Sequence, residues 1–214
     1  MTKLSNQEIA GAGLDGWVIV PGALRTRVRT SDFRTGLQLV DAIGAAAEEM
    51  DHHPDLDLRY TLVDVRLTSH DTGGVTKRDI RLARRITELA AEAGLRTQGD
   101  DVAVLELALD TPDQDSITPF WGAVLGMQPA GRDDLADPAG ALPLIWFQGS
   151  GREEPRQRWH PDVWVDPAQV QPRIDAAIAA GGILVSDAEA PSFWVLADPE
   201  GNKVCLCTWQ ERTK

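Results

Sequence analysis

The sequence predicts an α+β fold divided between two domains. Helical stripes of apolar residues, spaced by three and four positions, lie between shorter apolar segments that alternate as strands do. The second half repeats a strand–helix–strands unit of about 50 residues, which indicates two similar small sheets built from paired βαβββ-like units. The length of 214 residues suits two small domains, which we place at 1–97 and 102–214, joined near 94–101.

Proline and glycine residues delimit the elements of the first half. Two strands, 17–20 and 24–30, are separated by a Pro-Gly pair at hairpin distance. The helix that follows ends before Pro54, since proline disfavours helical backbone at the preceding residue. The segment 58–67 alternates but changes parity near its middle, so we expect one strand with a bulge there.

A second helix of this half begins with a capping-box pattern from Thr76 to Asp79 and is closed by Gly94. An acidic residue at the third helical position commonly caps the helix, so we expect Asp79 to cap rather than to catalyse. We also expect Tyr60 to pack in the fold rather than to take part in chemistry.

The second half contains two helices, each of which ends at a glycine, and several strands around them. We expect helices at 116–125 and 167–180 and strands at 102–109, 142–148, 162–165, 183–185, 193–196 and 204–209.

Composition excludes several classes of function. The net charge of −12 argues against a nucleic-acid binder and against adsorption to an anionic membrane, because both need a basic face. No segment approaches the ~20 apolar residues of a membrane-spanning helix, and the N-terminus lacks the layout of a secretion signal. Two cysteines, Cys205 and Cys207, are too few for a disulfide framework. We therefore expect a reduced, cytoplasmic protein.

Histidine is the informative residue type of the first half. The chain has four histidines, and His52, His53 and His70 lie close together in sequence. Imidazole, with an unperturbed pKa of about 6.5, serves as a general acid or base near neutral pH. The histidines have two other interpretations. His52 and His53 can place a positive charge at the end of a helix, or the three histidines can form a metal site, although adjacent histidines do not easily converge on one ion.

The residues around these histidines resemble the pterin-4a-carbinolamine dehydratase family. That family's pattern is an acidic or basic residue, His-His-Pro, an aromatic residue, a third histidine and a later aspartate. Every part of this pattern is present at matching spacing, and the resemblance covers about residues 4–95. The residues that carry it are Asp51, His52, His53, Pro54, Tyr60, His70 and Asp79.

The resemblance implies a four-stranded antiparallel sheet with helices on one face. It also implies dehydration of 4a-hydroxytetrahydropterin to quinonoid dihydropterin and water, with no cofactor. An acid protonates the departing hydroxyl, and a base takes a proton from nitrogen. We expect His52 and His70 to be this pair and His53 to orient the substrate. Further substrate contacts are expected from Asp51, Thr68, Ser69 and Asp71. We expect a small-molecule pterin as the partner and self-association into a homo-oligomer.

The second half resembles the vicinal oxygen chelate superfamily, which includes glyoxalases and bleomycin-resistance proteins. The residues that carry this resemblance lie in segments 120–126, 160–163 and 198–202. In metal-dependent members the ligands come from the first and last strands of each unit. The corresponding positions here are Glu106, His160, Cys205 and a fourth near Gln148.

Only His160 matches the residue type that the resemblance implies at its position, because Glu106 stands where a histidine is usual and Cys205 where a glutamate is usual, although zinc accepts all three types. We therefore expect no tightly held metal in the second half, but an aromatic-lined cleft for a planar organic ligand. An alternative function for the whole chain stays open: a non-catalytic module that binds or sequesters a flat heteroaromatic compound.

Overall fold

A computed structural model describes residues 2–131, 133–151, 159–197 and 203–211. Contacts within the chain divide it into two compact units, 1–102 and 103–214. Within the described part of the chain, no helix combines the length and apolar character needed to cross a membrane.

The N-terminal unit is an antiparallel sheet with helices. In chain order its elements are α1 (Asn6–Ala10), β1 (Val18–Val20), β2 (Ala23–Arg29), α2 (Phe33–Met50), β3 (Asp55–Arg59), β4 (Leu62–Leu67), α3 (Lys77–Glu92) and β5 (Thr97–Gln98). Four of the five strands form the predicted antiparallel sheet in the order β1-β2-β4-β3, and the fifth, β5, pairs with β2. Helix α2 packs against β3, β4 and α3, and the alternate residues of β4 that face this side are buried.

The segment predicted as one bulged strand is a hairpin. Strands β3 and β4 pair antiparallel, with Arg59 opposite Leu62, so that Tyr60 and Thr61 form the turn. The change of parity near Tyr60 therefore marks a reversal of the chain rather than a bulge. Tyr60 itself is 75% exposed, so the expectation that it packs in the fold is wrong for this chain, because a residue at the tip of a hairpin has few neighbours.

The segment predicted as a linker contains a short strand. In β5, Thr97 and Gln98 pair with Val28 and Arg27 of β2. Beside them, Gly16 has a φ of 77° and lies so close to the Thr97 carbonyl that a Cβ there would meet its oxygen at 2.4 Å. The segment up to Val102 thus belongs to the N-terminal unit.

The C-terminal unit is built on one sheet with two helices. Its elements are β6 (Ala103–Thr111), α4 (Gln114–Leu125), β7 (Gln128–Ala130), β8 (Asp134–Ala136), β9 (Leu144–Gly149), β10 (Trp159–Val165), a 3-10 turn (Pro167–Gln169), α5 (Val170–Ala179), β11 (Ile183–Ser186), β12 (Phe193–Ala197) and β13 (Lys203–Cys207). The strands lie in the order β11-β12-β13-β10-β6-β9-β8-β7. The two central strands, β6 and β10, pair antiparallel, and each has a parallel neighbour, β9 and β13 respectively.

The predicted paired units are confirmed, but the expectation of two separate sheets is wrong, because β6 and β10 pair and join the strands of both units into one sheet. The first unit runs from β6 through α4 to β9 and the second from β10 through α5 to β13. One core cluster of the first unit contains Leu109, Met127, Leu135, Ile145 and Phe147. A cluster of the second contains Val165, Val170, Ile174, Leu196 and Leu206.

Candidate functional site

The N-terminal unit contains a buried pair of polar side chains, His52 and Asp79, which are joined by a hydrogen bond. Asp51 ends α2 in the left-handed conformation, with φ 47° and ψ 45°, and so turns the chain into His52. The Nε2 atom of His52 lies 2.8 Å from Oδ1 of Asp79, and the two side chains are 7% and 0% exposed. The tautomer that carries its proton on Nε2 donates to this carboxylate oxygen.

The second oxygen of Asp79 binds the turn before α3. Its Oδ2 accepts from the Ser69 hydroxyl at 2.7 Å and from the Thr76 backbone N–H at 2.7 Å. The Ser69 and Thr76 hydroxyls lie 2.8 Å apart, and both side chains are buried. The predicted capping box is confirmed, with Thr76 as the N-cap of α3. The bond to His52 was missed, although Asp79 belongs to the same sequence pattern.

The other two histidines lie on the surface. His53 is 57% exposed and places its Nε2 atom 3.1 Å from Oε1 of Glu48. His70 is also exposed and follows Ser69 in a turn closed by the bridge between Ser69 and Gly74. The network through Asp79 thus joins His52 to the residue that precedes His70, whereas His53 stands outside it.

The remaining predicted contact residues differ in their surroundings. Asp51 is exposed, and the Thr68 hydroxyl is buried and donates to the Gly22 carbonyl at 2.8 Å. The guanidinium of Arg78 bonds the exposed carboxyl of Asp71 and holds the pKa of Asp71 below its usual value. The hydroxyls of Thr68 and Ser69 therefore make hydrogen bonds inside the unit, whereas the side chains of Asp51 and Asp71 are exposed to solvent.

The pair of His52 and Asp79 has a defined chemical capacity. A carboxylate that accepts from one ring nitrogen fixes the tautomer and orientation of an imidazole. With Nε2 committed to Asp79, the Nδ1 atom of His52 is the nitrogen left to accept or donate a proton. Such a pair is suited to acid–base chemistry.

In the C-terminal unit, one face of the sheet collects polar side chains. Asp162 of β10 lies opposite Glu106 of β6 and Cys205 of β13. Donor atoms of His160, Asp162 and Cys205 all lie within 4.8 Å of one another. Glu106 instead accepts from the Trp164 indole N–H at 2.7 Å.

Of the four positions named from the sequence, the structure thus brings together His160 and Cys205. Gln148 is exposed at the end of β9. Segment 198–202 and the side chain of Phe120 lie outside the described residues.

Comparison with family models gives two matches, and the boundary between the two compact units lies in the segment between them. Residues 2–89 match the family described as pterin 4 alpha carbinolamine dehydratase, and residues 106–207 match a glyoxalase-like domain.

The N-terminal half of the chain matches relatives over nearly the whole length of each relative. A protein of Aquifex aeolicus strain VF5, named "Putative pterin-4-alpha-carbinolamine dehydratase", is 39% identical over 92 residues, which is 42% of this chain and 93% of the relative. A protein of Mycolicibacterium smegmatis with the same name is 37% identical over 94 residues, 43% of this chain and 100% of the relative. The crystal structure of a transcriptional coactivator/pterin dehydratase from Brucella melitensis has 34% identity and a TM-score of 0.41, and covers 42% of this chain and 99% of its own.

Proposed function

The chain belongs, through its N-terminal half, to the pterin-4-alpha-carbinolamine dehydratase family, and from this premise we propose that it dehydrates 4a-hydroxytetrahydropterins. The reaction breaks the bond between C4a and the hydroxyl oxygen and removes a proton from the neighbouring nitrogen. A proton joins the departing hydroxyl, so that the products are quinonoid dihydropterin and water.

The observation that carries this proposal is the buried bond between His52 and Asp79. An imidazole held by a buried carboxylate keeps one orientation, and orientation is what a general acid or base needs. The bond joins two parts of the family's sequence pattern that are 27 residues apart. We assign the acid–base role to the Nδ1 atom of His52.

His70 is our choice for the second proton-transfer group, because its exposed side chain follows the Ser69 hydroxyl that binds Asp79. His53, paired with Glu48 on the surface, is assigned to substrate orientation, together with Asp51 and Asp71. Substrate contact by Thr68 and Ser69 stays a prediction, and their internal hydrogen bonds favour a supporting role.

Rapid-mixing measurements of 4a-hydroxytetrahydropterin dehydration on the full chain test the proposal. We expect His52→Ala and His70→Ala each to lower turnover at least about tenfold, a conservative threshold beside the roughly 10²–10⁴-fold that a positioned acid or base typically contributes. His70 is exposed, so its replacement leaves folding intact and isolates the chemical effect. A matched control is Glu49→Gln, an exposed residue near the end of α2, which should leave turnover unchanged.

The same assay separates catalysis from simple binding. A non-catalytic module would bind the pterin but leave the rate at the value of the spontaneous reaction. No acceleration by the unmodified chain, or full turnover in both histidine variants, would refute the proposed function. We also propose that copies of the chain associate into a homo-oligomer, which light scattering would detect as a mass above that of one 23.3 kDa chain.

A further inference from the structure

Strand β11, at one edge of the C-terminal sheet, exposes three consecutive apolar side chains. Ile183, Leu184 and Val185 are 58%, 39% and 43% exposed, and Ile178, which precedes the turn into β11, is 48% exposed. These four account for nearly half of the nine large hydrophobic residues that are exposed in the part of the chain that the structure describes. Single exposed apolar residues are normal, but a contiguous group marks an interaction surface.

The backbone of β11 is also open on one side. This strand stands first in the strand order and pairs antiparallel with β12 alone among the described residues, so its outer side has no strand partner there. The pairing sets Ile183 opposite Ala197 and Leu184 opposite Leu196, and the register shifts before Ser186. The N–H and C=O groups on the outer side of an edge strand are a template for a further strand.

Other edge strands of the chain carry features that block such an addition. Pro129 stands in the middle of β7, at the opposite end of the same sheet, and proline has no N–H to donate. Strand β3, an edge of the N-terminal sheet, exposes Asp55, Asp57 and Arg59, and charges on an edge disfavour strand addition. Strand β1 is buried along its whole length. By contrast, β11 contains neither a proline nor a charged residue.

A second copy of the same strand matches this edge. Antiparallel pairing of a strand with its own copy has twofold symmetry, so the donors of each copy meet acceptors of the other and apolar side chains meet apolar side chains. Asp187, the first charged residue after β11, then lies beside the Gly181–Gly182 turn of the second copy, so that no like charges meet. Addition of β11 to β7 of another copy, which would give open filaments, is disfavoured by Pro129.

We propose that two copies of the chain associate by antiparallel pairing of β11 with β11. A stable interface buries about 1,200 Å² or more, which exceeds what a strand of four residues provides, so the association is weak and depends on concentration. Each copy has a net charge of −12, so salt strengthens the association because it screens the repulsion between copies. The inference names a surface for the homo-oligomer proposed above and is independent of the dehydratase chemistry.

Hydrogen exchange of the full chain at two concentrations is the first test. The amides of segment 183–186 should exchange at least about fivefold more slowly at about 200 µM chain than at about 2 µM, because strand pairing protects them. The mass measured by sedimentation should rise at least about twofold over the same range, and further when sodium chloride is raised from about 20 to about 300 mM. Exchange in this segment that does not depend on chain concentration would overturn the proposal, even if the mass shows an oligomer formed elsewhere.

Charged variants then locate the interface. Ile183→Lys and Val185→Lys each place a positive charge from both copies on the paired strands, and each should abolish the slowing of exchange and lower the mass at about 200 µM at least about 1.5-fold. Leu142→Lys is the matched control, since Leu142 is 47% exposed and lies before β9, outside β11. All three side chains are exposed, so thermal unfolding midpoints should be nearly equal. Undiminished slowing of exchange in both β11 variants, or its loss in Leu142→Lys, would show that β11 is not the interface.

Discussion

Asp79 contributes both to the stability of the fold and to the proposed chemistry, because it bonds the start of α3 and also His52. Asp79→Asn keeps the size of the side chain but sets an amide NH₂ among groups that donate to the carboxylate. We expect a loss of about 2–3 kcal/mol in the free energy of unfolding, because buried partners are left unsatisfied. We also expect kcat for dehydration to fall about 10–100-fold with KM little changed, because His52 loses its orienting group. Urea unfolding and steady-state kinetics measure the two effects.

Asp71, in the turn before α3, provides a control for the loss of stability expected of Asp79→Asn. Asp71→Asn removes an exposed ion pair with Arg78, and such pairs contribute little to stability, so its urea midpoint should match that of the unmodified chain. Equal loss of stability in both variants would contradict the special position of Asp79. A fall in kcat that merely follows the unfolded fraction would contradict its positioning role.

Individual site residues were only partly predictable. His52 and Asp79 both belong to the sequence pattern, and local spacing alone predicted the capping box of Asp79 but not its bond to His52. The bond between them depends on how α2 and α3 pack, which no local pattern encodes. The position of Asp162 beside Cys205 was not predicted for a similar reason, since it follows from the parallel register of β10 and β13.

At the scale of the helix, two glycines of α2 should respond differently to the same change. A Cβ at Gly44 meets nothing within 4 Å, whereas at Gly36 it would lie 2.7 Å from Cδ1 of Leu58. Gly44→Ala should raise the free energy of unfolding by about 0.5–1 kcal/mol, since alanine favours the helix. Gly36→Ala should be at least about 1 kcal/mol less stable than Gly44→Ala, because Leu58 must move. Urea unfolding of both variants tests this, and equal gains would contradict it.

The first turn of α2 makes stability depend on pH. The backbone N–H of Thr35 donates to the Asp32 carboxylate and holds the pKa of Asp32 below its usual value. A lowered folded-state pKa stabilises the fold above the unfolded value of about 3.9, and this contribution is lost as pH falls through the folded value. Asp32→Asn keeps a cap but does not titrate. Its thermal unfolding midpoint, measured by circular dichroism, should fall less between pH 5 and pH 2 than that of the unmodified chain. Equal falls in the two midpoints would exclude this contribution of Asp32.

Elements were more predictable than their pairing. Both long helices of the N-terminal unit follow from their apolar stripes, and α2 ends before Pro54 as expected. The hairpin turn at Tyr60 and Thr61 was missed because neither residue is typical of a tight turn. Strand β5 was missed because two polar residues in a linker-like segment give no alternation, and only their pairing with β2 makes them a strand.

For the molecule as a whole, we predict that residues 1–102 fold and act alone. The unit includes β5 and the ion pair of Arg29 with Asp101, both of which a fragment ending at Gly94 would lose. Fragment 1–102 should keep turnover within about threefold of the full chain, since contacts within the chain define residues 1–102 as one compact unit. Fragment 1–94 should unfold at a lower temperature than fragment 1–102, as measured by circular dichroism. An unfolded 1–102 fragment would contradict the division.

The hydrogen bond from the Thr76 amide to Asp79 ties the start of α3 to the state of the proposed site. Fraying of the first turn of α3 would free this amide and move the Asp79 carboxylate away from His52 at the same time. We therefore expect the rate at which the Thr76 amide exchanges its hydrogen with deuterated solvent to report the balance between closed and open forms of this turn. Under the proposed function, a larger open fraction leaves fewer molecules in which His52 is oriented for proton transfer.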